Sequence, residues 1–205
     1  MTQKEGLLGK IIYSLPKFYD WSTQFLSLWN WERWQNRVFE DINGKKILEI
    51  GVGPGRLYLK LLKKGFDVTG TEIRRGMADS ARKRIKNAGF EPKIFLSSVY
   101  SLPFPDNAFD NIILTFVLGE IKELGRAIRE MKRVLKKDGQ VIAISINYPQ
   151  DSNTIATIIL DTINKSEDFS LEKDFHDYFA KEGFAVRRED FGPFHIVNKL
   201  VAIKK

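Results

Sequence analysis

Gly51, Gly53 and Gly55 lie in a nine-residue run, Ile47-Leu48-Glu49-Ile50-Gly51-Val52-Gly53-Pro54-Gly55, and Glu72 follows seventeen positions after the last of them. Glycines at a strand-to-helix turn permit positive φ and let backbone approach a ligand closely. The helix that follows begins with amides that have no intrahelical partner, and these favour a negative group. Glu72, at the carboxyl end of a second predicted strand, can accept hydrogen bonds from both hydroxyls of a ribose. A glycine-rich turn alone is weak evidence. Joined to an acidic residue at that place it predicts a nucleoside site.

Two common nucleoside cofactors fit poorly. A dinucleotide fingerprint needs glycine at position 56, where the chain has Arg56, and no Gly-x4-Gly-Lys-Ser/Thr phosphate loop occurs. A dehydrogenase also needs a substrate domain, for which 205 residues leave little room. The pattern turns instead to a nucleoside with an amino-acid tail, S-adenosylmethionine. Its carboxylate would meet the helix start, and Glu49 would balance its ammonium.

The elements that must hold these groups alternate. Strands are predicted at 47–50, 66–71, 93–97, 109–116, 141–146, 184–189 and 196–203, and helices at 57–64, 77–88, 121–135, 155–164 and 171–181. Gly65, Gly89, Asp138-Gly139 and Gly183 mark helix ends. Such alternation implies parallel strands covered by helices on both faces, an α/β fold. The last two strands, joined by a brief turn at Gly192-Pro193, must pair antiparallel. Residues 1–45 differ: Leu7, Leu8, Ile11, Ile12 and Leu15 recur at helical spacing, and Trp21, Trp29, Trp31 and Trp34 follow together. We divide the chain into an amino-terminal aromatic helical cap, 1–45, and a Rossmann-like domain, 46–205.

Composition narrows the classes further. With 43% hydrophobic residues the chain can bury a sizeable core. No apolar run approaches the roughly 18 residues needed to span a bilayer, and Met1 to Glu5 do not open a secretory leader, so a cytoplasmic protein is expected. The absence of cysteine excludes thiolate nucleophiles and zinc–thiolate centres. A net charge of +7 permits attraction to RNA, anionic lipid or acidic small molecules. Arg74-Arg75, Arg82-Lys83-Arg84 and Lys86 carry part of it, a pattern that usually means a solvated helix face.

At four places, in order, residues 46–146 resemble the class I methyltransferases, in particular the branch of the ubiquinone/menaquinone C-methyltransferases. Glu49-x-Gly51-x-Gly53-x-Gly55 resembles the first motif, and Thr69-Gly70-Thr71-Glu72-Ile73 with Met77 the second. Ser101-Leu102-Pro103-Phe104-Pro105-Asp106-Asn107-Ala108-Phe109-Asp110 is similar to the Leu-Pro-Phe-Pro-Asp…Phe-Asp segment. Glu130 to Gln140 resembles the Arg-Val-Leu-Lys-Pro-Gly-Gly ending. The resemblance implies seven strands with the last antiparallel, S-adenosylmethionine as methyl donor, and adenine near Ser97, Ser98 and Val99. It also places Ile73, Thr115 and Tyr19 by the cofactor. Ser98 stands where the family usually has aspartate, and a serine hydroxyl accepts the same bond without charge assistance. Gly119-Glu120 stands where many members carry histidine.

Transfer from a sulfonium needs a general base only if the acceptor must lose a proton. Asp20 and Glu120 are the candidates for one; Tyr19-Asp20 resembles a pair that precedes the core in this family. His176 and His195 read as surface or structural residues, and no metal is expected. Asn147-Tyr148-Pro149 follows the fifth strand rather than the fourth, which sets it apart from the amino-methylating box. Acceptor choice is assigned to the aromatic segment 18–39, suited to a quinone precursor, another aromatic metabolite or a lipid head region. The partner is thus a small-molecule acceptor, with peripheral membrane contact open. RNA methylation is the alternative, disfavoured because no basic strip interleaves with aromatics. A catalytically silent S-adenosylmethionine-binding protein is another.

Overall fold

In the computed structural model the described residues are 30–148 and 175–205. Tyr19, Asp20, the predicted helix at 155–164 and the start of the one at 171–181 lie outside them. The first described element is a short helix α1 (Trp31–Asn36), which runs into a 3-10 turn (Arg37–Glu40). There follow β1 (Lys46–Ile50), α2 (Arg56–Lys63), β2 (Asp67–Glu72), α3 (Arg75–Asn87), β3 (Ile94–Leu96) and β4 (Phe109–Thr115). Then come α4 (Leu124–Val134), β5 (Leu135–Ile146), α5 (Phe175–Lys181), β6 (Phe184–Phe191) and β7 (Val197–Lys204).

The seven strands form one sheet in the order β3-β2-β1-β4-β5-β7-β6. All neighbours from β3 to β5 pair parallel, and β7 runs antiparallel to both β5 and β6. The predicted class and the reversed last strand are therefore observed. Central strands are apolar on both sides because helices cover both faces: Ile47 and Leu48 are adjacent and both fully buried. Ile47 packs with Leu57, Tyr58, Ala78 and Ile85 of α2 and α3, and Leu48 with Ile128, Met131 and Phe179 of α4 and α5. Trp34 and Val38 join the α2–α3 face.

One boundary differs from expectation. The helix predicted at 121–135 ends at Val134, and β5 begins at once with Leu135 opposite Phe109. Asp138-Gly139 is an irregularity within the strand, since the next paired positions are Asn111 and Gln140. Asp138 has φ +60, and a Cβ on Gly139 would lie 2.9 Å from the Lys136 carbonyl oxygen. The residues that signal a helix stop serve here as a bulge.

Candidate active site

A cavity of about 420 Å³ opens at the carboxyl ends of β1, β2, β3 and β4. The strand order reverses between β1 and β4, and ligands of open α/β sheets bind at such a switch point. Its walls are Ile50, Gly51 and Gly53; Thr71 to Arg74 with Met77; Ser97 to Tyr100; and Thr115 to Val117 with Glu120 to Glu123. Of the residues singled out from sequence, Gly51, Gly53, Glu72, Ile73, Ser98, Val99, Thr115 and Glu120 meet there.

Glu72 is only 4% exposed, and its carboxylate is held by backbone. Gly53 N–H donates to Oε2, and the N–H groups of Ile73 and Arg74 donate to Oε1, each at 2.9 Å. The side chain thus ties the glycine loop to the end of β2. Gly51 has φ +74, and a Cβ there would lie 2.5 Å from Val117 Cγ2, so only glycine lets the β1 loop and the β4 loop close on each other. At Gly53 a Cβ would meet nothing within 4 Å, and its positive φ is the constraint.

Two expected contacts come out differently. Gly55 does not line the cavity. It caps α2 in the left-handed conformation, 3.0 Å from Ala81 Cβ if it carried a Cβ, and so sets the spacing of α2 from α3. Glu49 does not line it either. It is buried on β1, its Oε2 has no hydrogen-bond partner, and burial, with Glu72 nearby, pushes its carboxyl well above the ordinary value. The amides of Gly51 and Val52 are spent, both on the Thr71 carbonyl.

Sequence reasoning missed the supports of the β3 and β4 loops. Tyr100 lines the cavity, and its hydroxyl accepts from the N–H groups of Lys122 (3.0 Å) and Glu123 (3.2 Å), so one ring joins two walls. Glu130 and Arg133 on α4 grip the Leu-Pro-Phe-Pro-Asp segment: Leu102 N–H donates to Glu130, and Arg133 donates to the Leu102 and Phe104 carbonyls and to Asp106. The third and fourth motifs are halves of one brace. Asp110 is a brace too, accepting from Lys45 and Lys46 N–H at the entry to β1. Spacing alone does not reveal such partners, although the acid–arginine i, i+3 pair Glu130–Arg133 was visible.

At the other end of the cavity Phe116 has φ +61, a rare conformation for a bulky residue, and its ring stacks on Trp31 at 3.7 Å. Gln35 Nε2 donates to Thr115 Oγ1 at 3.0 Å. Helix α1 is thereby fastened to the floor of the site. Glu120 Oε2 lies 3.1 Å from Arg74 Nη2, a bridge between two lips of the cavity. His176 and His195 lie away from the cavity. No metal-holding cluster of acidic, histidine or cysteine residues occurs among the described residues.

The cavity can accept a nucleoside. Its volume is within the range of small-molecule sites, roughly 300–1,000 Å³. A buried carboxylate, a serine and apolar side chains, Ile73 and Val99, converge on it.

Comparison with known proteins agrees. Residues 48–143 match the family described as "Methyltransferase domain". The chain is 28% identical to demethylmenaquinone methyltransferase of Symbiobacterium thermophilum over 155 residues, 72% of this chain and 62% of that protein. It is 30% identical to phosphatidylethanolamine N-methyltransferase of Cereibacter sphaeroides over 138 residues, 63% of this chain and 67% of that one. It thus spans slightly less than two thirds of the first relative's length. A solved structure from Thermotoga maritima, titled a SAM-dependent methyltransferase and possible histamine N-methyltransferase, superposes with TM-score 0.73 at 20% identity. That likeness covers 96% of this chain and all of the other.

Proposed function

The chain belongs to the class I S-adenosylmethionine-dependent methyltransferases, of the kind that includes the ubiquinone/menaquinone C-methyltransferases, and we propose that it methylates a small, largely apolar molecule. The observation that carries this reading is the buried Glu72 carboxylate, tied to the glycine loop at the mouth of β2. Glu72 would hold the ribose, Ser98 the adenine edge, and Ile73 and Val99 the adenine faces. Bound there, S-adenosylmethionine supplies an electrophilic methyl group on a sulfonium.

The protein's own part is alignment. Holding acceptor and donor in line supplies about 7–11 kcal/mol of the barrier reduction. Thr115 and Phe116, backed by Gln35 and Trp31, form the wall nearest the cap, where Thr115 would contact the cofactor and Phe116 the acceptor. Glu120 is tied to Arg74, and that bridge must open before it can take a proton. Asp20 and Tyr19 stay proposals for base and cofactor contact. We keep residues 1–45 as the acceptor-facing cap and 46–205 as the catalytic domain; the burial of Trp34 and Val38 against the sheet supports a cap closely joined to it. Two relatives whose names state a menaquinone precursor and a phospholipid support an apolar acceptor. Among the described residues no helix is long and apolar enough to cross a membrane. We place the reaction in the cytoplasm, where cells make S-adenosylmethionine.

Incubation with methyl-labelled S-adenosylmethionine and fractionated cell extract tests the proposal. Label should enter lipid-soluble or aromatic small molecules. Label in RNA or protein alone would overturn the acceptor class. Tight cofactor binding with no labelled product would favour the silent-binder reading.

A further inference from the structure

Charge is distributed very unevenly along this chain. Residues 56–93 hold eleven Lys/Arg and four Asp/Glu, an excess of seven. That equals the net charge of the whole protein, so the other residues sum to zero. The segment runs from α2 to the start of β3, at one edge of the sheet. Helices α2 and α3 lie side by side on one face, burying Leu57, Leu61, Ala81 and Ile85 in a common core. Their outer surfaces turn basic residues to solvent.

Ion pairs absorb only part of this charge. Glu32 of α1 takes Arg56 and Lys60, Asp79 takes Arg82, and Asp67 takes Lys93. Lys63, Lys64, Arg75, Lys83 and Lys86 stay exposed. Apolar groups lie beside them. Of six large hydrophobic residues that are exposed among the described residues, two, Phe95 (44%) and Leu96 (45%), lie on the edge strand β3. Exposed apolar side chains next to a basic surface suit the boundary between headgroups and acyl chains, where each cation near an anionic surface adds attraction.

We propose that the edge formed by α2, α3 and β3 docks on an anionic lipid bilayer. The occupant is a membrane surface rather than RNA because stacking platforms are lacking. Leu96 is aliphatic, and the Phe95 ring is already engaged edge-on by Phe104 at 5.3 Å. The docking is independent of the methyl-transfer reading.

Co-sedimentation with phosphatidylcholine vesicles, with and without phosphatidylglycerol, tests it. The protein should sediment with the anionic vesicles and be released by salt. Arg75→Gln, Lys83→Gln and Lys86→Gln combined should weaken binding on the order of 100-fold, about fivefold per charge. Leu96→Gln should weaken it with no change in salt dependence. The triple variant should keep its melting temperature and its stabilisation by S-adenosylmethionine, so failure of docking is separable from failure of the cofactor site. Equal binding to neutral vesicles, or full binding by the triple variant, overturns the proposal. So does salt-dependent capture by an RNA homopolymer without vesicle binding.

Discussion

Replacing Glu72 by glutamine turns one acceptor into a donor in the wall of the cavity. The native carboxylate takes three backbone N–H groups, Gly53 on one oxygen and Ile73 with Arg74 on the other. The glutamine oxygen can keep the Ile73 and Arg74 pair, but its NH₂ then faces the Gly53 N–H, donor against donor. One hydrogen bond to a charged group is worth about 1.5–3 kcal/mol. For a chain of this size that lowers the melting temperature by about 3–12 °C, at roughly 2–4 °C per kcal/mol. The ribose loses a charge-assisted acceptor as well, so the cofactor Kd should rise about 10- to 160-fold. Scanning fluorimetry without ligand reads the first effect, and titration calorimetry with S-adenosylmethionine the second. A lowered melting temperature with unchanged Kd would make Glu72 a loop brace only. No change in either would refute the placement of the site.

Other outcomes follow from the same geometry. Tyr100→Phe leaves the Lys122 and Glu123 N–H groups unbonded, so their amide exchange should quicken and cofactor affinity fall about 2- to 12-fold per bond; protected amides would exclude the tether. The Glu49 carboxyl titrates above its unfolded value, so the stability it allows is full below about pH 4.5 and is lost as pH rises towards the folded value. Glu49→Gln should therefore gain stability over the native chain at pH 8 relative to pH 4.5, and parallel stability–pH curves would contradict this. Lys199, 3% exposed, contacts Glu40, Asp41 and Glu189, and Lys199→Ala removes the cation at Asp41 Oδ2 while Arg187 keeps Oδ1. It should cost about 1–3 kcal/mol in denaturant unfolding, the penalty of one unsatisfied buried acceptor, and no measurable loss would show that Oδ2 reaches water.

Much of the fold was legible because strand–helix alternation is a local signal. Ile47-Leu48, apolar at successive positions, already required cover on both faces. The glycine loop and Glu72 were legible for the same reason, as each lies at the end of a recognisable strand. Side-chain partners were not. Glu49 looks like a ligand-facing acid by motif, yet its place on β1 turns it under the loop. Tyr100 carries no signal in its own surroundings, because its partners are supplied by the β4 loop. Asp138-Gly139 read as a helix stop because the residues that end helices also build bulges, and only the pairing with β4 decides between them.

The placement of β7 between β5 and β6 governs the order in which the sheet can assemble. Strand β6 touches the sheet only through β7, so it has no partner until the later strand is made. The two can zip into a hairpin around Gly192-Pro193 and then join β5 as a unit, with Ile146 meeting Val197 and Gln140 meeting Ile203. Contacts so remote in sequence are closed slowly. Phe194 and His195, both at positive φ in that turn, sit where the hairpin nucleates. Glycine at either position, which adopts such φ without strain, should speed refolding and leave the cofactor site untouched.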